Sequence, residues 1–384
     1  MTDDVGAAVD LALAVEGVDT PALLIDLDTM ERNIAAMASV AKEAGVRLRP
    51  HTKTHKCPEI ARMQVAAGAT GITVAKLGEA EVMADAGLDD ILVAYPIVGD
   101  AKLARLRALR ERVRVRCSLD SVEVATGVGS VAGADDPVEV LVEVDTGHHR
   151  LGRPPGGPTA SLVAEVARIE GVEVVGLISH GGHAYRAAGA ELEAVARREA
   201  EDLAATAEAC ARHGVEIREI SVGATPTAAW ISGLAGMTES RPGTYVLGDV
   251  QQMRLGVARE SDCAATVLAT VVSRPWEDRF VLDAGSKSLS ADGGDGPPFP
   301  GRGVVAGRPD LRLDFLTEEH GVGHVRAGGT GASDPSGGDL AVGDRVRVIP
   351  LHVCSSVNLF DTALGVRGDA VERELAIAGR GKVR

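Results

Sequence analysis

Aromatic side chains are nearly absent: Phe, Trp and Tyr make up 2% of the 384 residues. Stacking platforms for single-stranded nucleic acid are therefore not expected. A formal net charge of −15 also argues against phosphate-backbone binding, so no nucleic-acid partner is expected. No apolar run is long enough to span a bilayer, which leaves no membrane partner. The opening residues, MTDDVGAAVDLALAVEG, are acidic and lack the basic start of a secretory signal. No CxxC pair occurs. The five cysteines, Cys57, Cys117, Cys210, Cys263 and Cys354, are odd in number and widely spaced. That pattern fits reduced thiols and a cytoplasmic protein better than a disulfide framework. The dinucleotide fingerprint GxGxxG is missing after the first strand pattern, which weakens an open doubly wound sheet.

What is present is a long alternation. Hydrophobic residues reach 45%, ample for a core, and the length suits two domains or one large barrel plus an addition. DLDTMERNIAAMASVAKEAG has Asp28 or Thr29 as a candidate N-cap, apolar residues at helical spacing, and a stop at Gly45. Eight short β-branched runs follow: VRLRP (46–50), GITVA (71–75), ILVAYP (91–96), VRVRCSLD (113–120), VEVLVEVD (138–145), VEVVGLISH (172–180), IREISVG (217–223) and TYVLGD (244–249). Segments rich in Ala, Leu, Glu and Arg separate most of them. Strand–helix alternation implies parallel strands with right-handed crossovers, and eight units close a (β/α)8 barrel.

Near residue 260 the texture changes. CAATVLATVVSR, RFVLDAG, DRVRVIPLHVC and AVERELAIA read as strands between Gly- and Pro-rich loops, ADGGDGPPFPGRG and RAGGTGASDPSGGD, and helical spacing nearly vanishes. The expected division is an α/β barrel over 28–258 and a mostly β domain over 259–384. An N-terminal segment, 1–27, carries the strand PALLIDL, expected to join the β domain.

In such a barrel, functional groups sit at the C-terminal ends of the strands. After the first strand come His51, Lys53, His55 and Lys56. After the fifth come Asp145, His148, His149 and Arg150. After the sixth come His180, His183 and Tyr185, in SHGGHAY. GATPT (223–227) follows the seventh, and RPGTY (241–245) flanks the eighth. Most of the ten histidines fall in three of these loops, which scattered surface histidines would not do. Taken alone, Lys53 reads as an ordinary solvated lysine. Crowded by cations and partly desolvated, it suits Schiff-base chemistry. GATPT alone is a turn, but small residues and hydroxyls between strand and helix also form an anion cradle. In PLHVCSSVN, His352 and Cys354 are two apart on an expected strand and so share one face. Imidazole plus thiolate suits zinc, and two protein ligands suit an open site rather than a closed structural one.

RPHTKTHKCPEIA, EVDTGHHRLG, SHGGHAY, SVGATPT, TESRPGTYVLGD, DAGSKSLS, EEHG and PLHVCSSVNL occur in this order. The set resembles the D-threonine aldolase and D-serine dehydratase family of pyridoxal 5'-phosphate (PLP) enzymes, over residues 20 to 365. The resemblance implies the alanine racemase-like fold, a PLP-binding barrel followed by a β domain. It implies that Lys53 holds PLP as a Schiff base, that Arg150 and Tyr185 lie near the cofactor ring, and that Gly223, Thr225, Gly243 and Tyr245 lie in the phosphate-binding loops. It implies that His352 and Cys354 hold a divalent metal, zinc or manganese, and that His55 is a base for the substrate hydroxyl. The implied reaction is lysis of a D-3-hydroxy amino acid: retro-aldol cleavage of D-threonine to glycine and acetaldehyde, or dehydration of D-serine or 3-hydroxy-D-aspartate to a keto acid and ammonia. An amino-acid racemase, which needs no metal, and a non-catalytic PLP carrier, which lacks the β domain, fit the motifs less well. A homodimer is expected by analogy with the fold. Where the usual motif has CPT after the metal histidine, this chain has CSS. His148 and His149 take no role from the resemblance.

Overall fold

A computed structural model of the protein describes residues 14–384 apart from 188, 232, 294–295 and 326–339. The Gly-rich loop expected at 326–339 thus lies outside the described residues. The chain divides into two compact units, one made of 1–33 and 246–380, the other of 34–245 and 381–384.

Strand β1 (Ala22–Asp26) belongs to the first unit. The helix Leu27–Glu43 follows it at once. Its cap is neither Asp28 nor Thr29: the Asp26 carboxylate accepts the Thr29 N–H at 2.7 Å, satisfying an orphan donor of the first turn. Gly45, at φ +69°, stops the helix in the left-handed region that glycine tolerates.

The second unit is a parallel barrel of eight strands: β2 (Arg47–Leu48), β3 (Ile72–Val74), β4 (Asp90–Val93), β5 (Arg114–Leu119), β6 (Val138–Glu143), β7 (Val172–Ile178), β8 (Glu219–Val222) and β9 (Glu239–Ser240). Their order is β2-β9-β8-β7-β6-β5-β4-β3. Beyond β2 the chain turns back to β3: Thr73 N–H donates to the Pro50 carbonyl at 2.8 Å, and His51 bridges Thr73 in parallel. The ring is therefore closed. Seven of the eight expected runs contain a barrel strand. The eighth does not: TYVLGD holds a 3₁₀ turn at Thr244–Val246, and the closing strand is the dipeptide Glu239–Ser240.

Inside the ring, alternate residues make layers. At the N-terminal end the layer is ionic. Arg49 pairs with Glu239 (2.8 Å) and Asp90 (2.7 Å), and Arg116 pairs with Glu219 (2.7 Å) and Glu239 (3.5 Å). Arg49 and Arg116 are the largest fully buried side chains among the described residues. Leu92, Leu141, Val175 and Ile178 form a small apolar cluster of their own. The larger core packs the helices on the outside of the strands.

The first unit is built on antiparallel strands: β10 (Ala265–Trp276), β11 (Arg279–Leu282), β12 (Gly303–Val305), β13 (Leu311–Leu316), β14 (Gly321–Val325), β15 (Arg345–Pro350), β16 (Thr362–Arg367) and β17 (Ala370–Ala376). The pairings β10–β11–β14–β13–β12–β15–β10 close a six-stranded ring. β1 lies antiparallel to β10 and parallel to β16, and β17 completes that flank. The expected strand DRVRVIPLHVC ends at Pro350. His352 precedes a one-turn helix, Val353–Val357, which contains Cys354.

Candidate active site

The C-terminal ends of the barrel strands surround a cavity of about 340 Å³. Lys53 lines it, carried on the 3₁₀ turn Thr52–Thr54 just past β2. His51, His180, Arg150, Arg241 and Glu143 also line it. A larger, more open hollow of about 450 Å³ lies in the other unit, lined in part by Asp26, Glu260 and Arg347. It contains none of the candidate site residues.

The two cavity histidines are neutral. Burial, then the charges of Lys53 and Arg241, holds His51 well below the usual imidazole range. Burial, then Lys53 and Arg150, does the same to His180. Their tautomers differ. His51 Nδ1 accepts the Lys53 N–H at 3.4 Å, so its proton sits on Nε2. His180 Nδ1 donates to the Gly223 carbonyl at 2.7 Å, which leaves Nε2 a bare acceptor.

Three cations, Lys53, Arg150 and Arg241, face one carboxylate, Glu143. Burial pushes Glu143 up, with Arg150 and Arg241 pulling against it; Arg150 lies 3.8 Å away. Arg241 is anchored by Ser221 Oγ at 2.8 Å and by the Ser179 carbonyl. Behind Ser179 sits Glu199, whose Oε1 accepts the Ser179 hydroxyl at 2.5 Å. Burial raises Glu199 to about 7, with Ser179 and Arg241 opposing. Its Oε2 is buried without a hydrogen-bond partner.

The remaining candidates are placed as follows. Thr225 opens the turn after β8, and its Oγ1 accepts the N–H groups of Gly243 and Tyr245, both at 3.2 Å. That contact joins the two loops. Space is tight beside the glycine of each loop. A Cβ on Gly223 would come within 3.0 Å of Arg241 Cβ, and one on Gly243 within 3.0 Å of the His51 carbonyl. Tyr185 lies on the 3₁₀ turn Gly182–Arg186 after β7 and does not line the cavity. His55 is fully buried and also off the cavity wall. Its Nδ1 accepts the Cys57 N–H at 3.1 Å and its Nε2 meets Gln64 Oε1 at 3.3 Å. His149 is exposed and ties back to Asp145 at 2.8 Å; His148 packs edge-on to His180 at 5.4 Å between centroids.

In the other unit, His352 is hydrogen-bonded to Cys354 and, through Nδ1, to Asp292 Oδ2 at 2.6 Å. Ser355 Oγ shares that carboxylate at 2.8 Å. An imidazole held by a carboxylate on its second nitrogen is how metal-bound histidines are oriented. Among the described residues no cluster of three or more His, Cys, Asp and Glu side chains is poised for a metal ion, so the chain offers a pair of donors.

Sequence reasoning passed over Glu143, Arg241, Gln64 and Asp292. Glu143 was within reach: two residues before Asp145 on one strand, it shares that residue's face. Arg241 begins the RPGTY motif. Gln64 lies on the helix Pro58–Ala66 and Asp292 in a Gly-rich loop, and neither stretch marks it.

These residues suit PLP. The cavity has an amine for its aldehyde and an excess of cationic side chains for its phosphate.

The family model "Alanine racemase, N-terminal domain" matches residues 25–251, and "Putative serine dehydratase domain" matches 264–366. A D-threonine aldolase of Arthrobacter sp is 34% identical over 95% of this chain and 93% of its own. The D-threo-3-hydroxyaspartate dehydratase of Delftia sp. is 36% identical over 88% of this chain and 92% of its own. The crystal structure of D-threonine aldolase from Filomicrobium marinum superposes with a TM-score of 0.89 at 33% identity, covering 98% of this chain and 99% of that one. Two mutants of a D-threo-3-hydroxyaspartate dehydratase superpose at 0.84 and 33% identity, each covering 95% of this chain. One, 98% covered, replaces a cysteine by alanine and is in the metal-free form; the other, 96% covered, replaces the histidine two positions earlier. No helix among the described residues is long and apolar enough to cross a membrane. Two matched domain models in tandem, relatives above 30% identity over nearly the whole chain, and a lysine-bearing barrel cavity place this protein in the D-threonine aldolase and D-serine dehydratase family of PLP-dependent lyases, with the alanine racemase-like fold.

Proposed function

We propose that the chain is a PLP- and divalent-metal-dependent lyase for D-3-hydroxy amino acids, acting chiefly as an aldolase that cleaves D-threonine to glycine and acetaldehyde. The observation that carries the reading is Lys53 on the cavity wall at the C-terminal end of the first barrel strand, among Arg150, Arg241 and two neutral histidines. PLP, when bound, supplies an electron sink for charge developing at the substrate Cα. Lys53 would hold it, and the loops around Gly223, Thr225, Gly243 and Tyr245 would take its phosphate. Zinc or manganese, when held by His352 and Cys354, supplies Lewis acidity toward a hydroxyl.

The protein's own groups do the rest. Arg150 and Arg241 supply positive charge for an anionic ligand, and Glu143 steadies Arg150. Cleavage of Cα–Cβ needs a base for the β-hydroxyl proton. His55 has both ring nitrogens engaged and does not face the cavity, whereas His180 Nε2 is a bare acceptor on the wall. Reach comes first in choosing a base, which favours His180. In dehydration, Lys53 Nζ would instead take the Cα proton and the hydroxyl would leave.

The dehydratase reading has one specific support. A D-threo-3-hydroxyaspartate dehydratase of solved structure has a cysteine whose replacement accompanies a metal-free form, two positions after a histidine, and this chain has the same spacing at His352 and Cys354. Incubating the PLP- and metal-loaded protein with D-threonine separates the two. Glycine with acetaldehyde supports the aldolase, and 2-oxobutyrate with ammonia supports the dehydratase. No turnover of any D-3-hydroxy amino acid by PLP-bound protein refutes both.

A further inference from the structure

Lys56, the last residue of RPHTKTHK, is unusual on two counts. Its φ is +51°, in the left-handed region that residues with a β-carbon rarely enter and that Gly, Asn and Asp enter most readily. It is also buried, which lysines seldom are unless paired. Its side chain reaches Glu79, itself buried, with Nζ 3.1 Å from Oε1. Glu79 lies in the first turn of the helix Leu77–Asp85, where negative charge is favoured. Its other oxygen, Oε2, turns back past the start of that helix and accepts the Ala75 N–H at 2.7 Å. Ala75, just beyond β3, lines the cavity, and so does Lys53. On the near side, the Lys56 N–H donates to the Thr52 carbonyl at 2.8 Å and closes the turn on which Lys53 rides. The front of that turn is tied to β3 as well, since Thr52 Oγ1 donates to the Thr73 carbonyl at 3.1 Å. The turn is thus gripped at both ends, in front by a neutral hydrogen bond and behind by a buried ion pair. Neither Lys56 nor Glu79 lines the cavity, so the pair acts through Lys53 rather than on a ligand.

We infer that Lys56 and Glu79 are positioning residues: their ion pair holds a strained turn so that the Lys53 amine is aimed at an aldehyde in the cavity. The pair governs the approach of Lys53 Nζ to the aldehyde carbon, where the amine adds and water leaves. The inference rests on the PLP reading above, but not on which reaction follows.

Two ligands separate aim from affinity without any turnover. PLP carries the aldehyde. Pyridoxine 5'-phosphate has an alcohol in its place, keeps the ring and phosphate, and cannot bond to Lys53. Each is added, after removal of bound cofactor, to wild-type, Lys56→Met, Glu79→Gln, Lys56→Arg and doubly substituted Lys56→Met, Glu79→Gln proteins. The rate of Schiff-base formation is read from absorption, and borohydride trapping with peptide mapping places the adduct. A misplaced reacting group predicts Schiff-base formation at Lys53 slowed roughly ten- to hundredfold in both single variants, with the Kd of pyridoxine 5'-phosphate unchanged. Lys56→Arg, which keeps a cation in reach of Glu79, should react at nearly the wild-type rate. The double variant leaves no unpaired buried charge, so it should regain much of the thermal stability that the single variants lose, yet stay slow. Wild-type rates in the single variants would overturn the proposal. So would a rate that recovers with stability in the double variant, or a rate and a pyridoxine 5'-phosphate affinity that fall together, because a merely structural pair predicts both. If the single variants do not fold, the double variant decides. Wild-type protein that forms no Schiff base at Lys53 removes the PLP reading and the positioning role with it. Protein that meets these tests yet cleaves no D-3-hydroxy amino acid keeps the positioning pair and loses the proposed reaction.

Discussion

Among single residues, Glu199 has the clearest consequence for the folded state. Its carboxyl is fully buried, one oxygen has no partner, and the group is raised to about 7 from an unfolded value near 4.5. A raised acid binds its proton more tightly in the folded state. Stability is therefore full below the unfolded value and falls as pH rises through the folded one. Each pKa unit is worth about 1.4 kcal/mol, so the loss is on the order of a few kcal/mol by pH 8. Glu199→Gln should remove that slope: its Tm should exceed the wild type's at pH 8 and approach it at pH 5. Thermal unfolding at the two pH values measures this, and a wild-type Tm that is no more pH-dependent than the variant's would contradict it. His55 teaches the opposite lesson. Its place in RPHTKTHK, two residues after Lys53, put it in the right loop, but nothing in that spacing says which way a side chain turns. The preceding residue, Thr54, is itself fully buried, and the 3₁₀ turn at Thr52–Thr54 sends the ring toward Gln64 rather than the cavity.

Among elements, the strands that were legible are those whose apolar residues alternate against helices. β3 and β5 through β8 lie within runs read from the sequence, and β4 starts one residue before its run. β9 was invisible because it is two residues long, Glu and Ser, and faces charge: Glu239 meets Arg49 and Arg116, and it is hydrogen-bonded by Ser221 Oγ at 2.8 Å. TYVLGD drew the assignment instead because Tyr245, Val246 and Leu247 are buried by a turn rather than by a strand. In the other unit, β12, β13, β14 and β16 were missed, the first and third of them short and interrupted by glycine, and His352–Cys354 was read into β15 although a one-turn helix intervenes. The candidate site was legible as loops but not as contacts, since Glu143, Arg241 and Gln64 act through folded geometry. The ionic layer behind β9 can be tested directly. Burial raises Glu239, but Arg49 and Arg116 outweigh it and bring the carboxyl to about 2. Its contribution is thus present above pH 4.5 and lost as pH falls toward 2. Arg116→Met removes one counter-charge from a buried carboxylate and should cost about 3–5 kcal/mol at pH 7. The variant should also unfold at a higher pH on acid titration. Urea melts at pH 7 and pH 4 read both effects, and a loss under 1 kcal/mol would mean that Arg49 alone suffices.

For the whole molecule, the two proposed chemistries belong to different units: Lys53 and the glycine loops to 34–245, His352 and Cys354 to 246–380. Chelation should therefore separate them. Dialysis of the holoenzyme against a strong chelator is expected to abolish turnover, leave the bound PLP absorption unchanged, and restore activity on adding zinc or manganese. Full activity after metal removal, checked by elemental analysis, would take the metal out of the reaction. Four of the five cysteines are buried and Cys354 is half-buried, so the same sample should also show faster alkylation at Cys354 once the metal is gone.

The pairing of β1 with β10 and β16 reaches beyond the finished molecule. Leu24 sits opposite Thr266 and beside Leu364, partners translated hundreds of residues later. At about 5–20 residues per second, a nascent chain leaves the ribosome with this apolar strand unpaired for tens of seconds. During synthesis its edges are open to neighbouring chains, and a product terminated between β10 and β16 keeps the β16-side edge open for good.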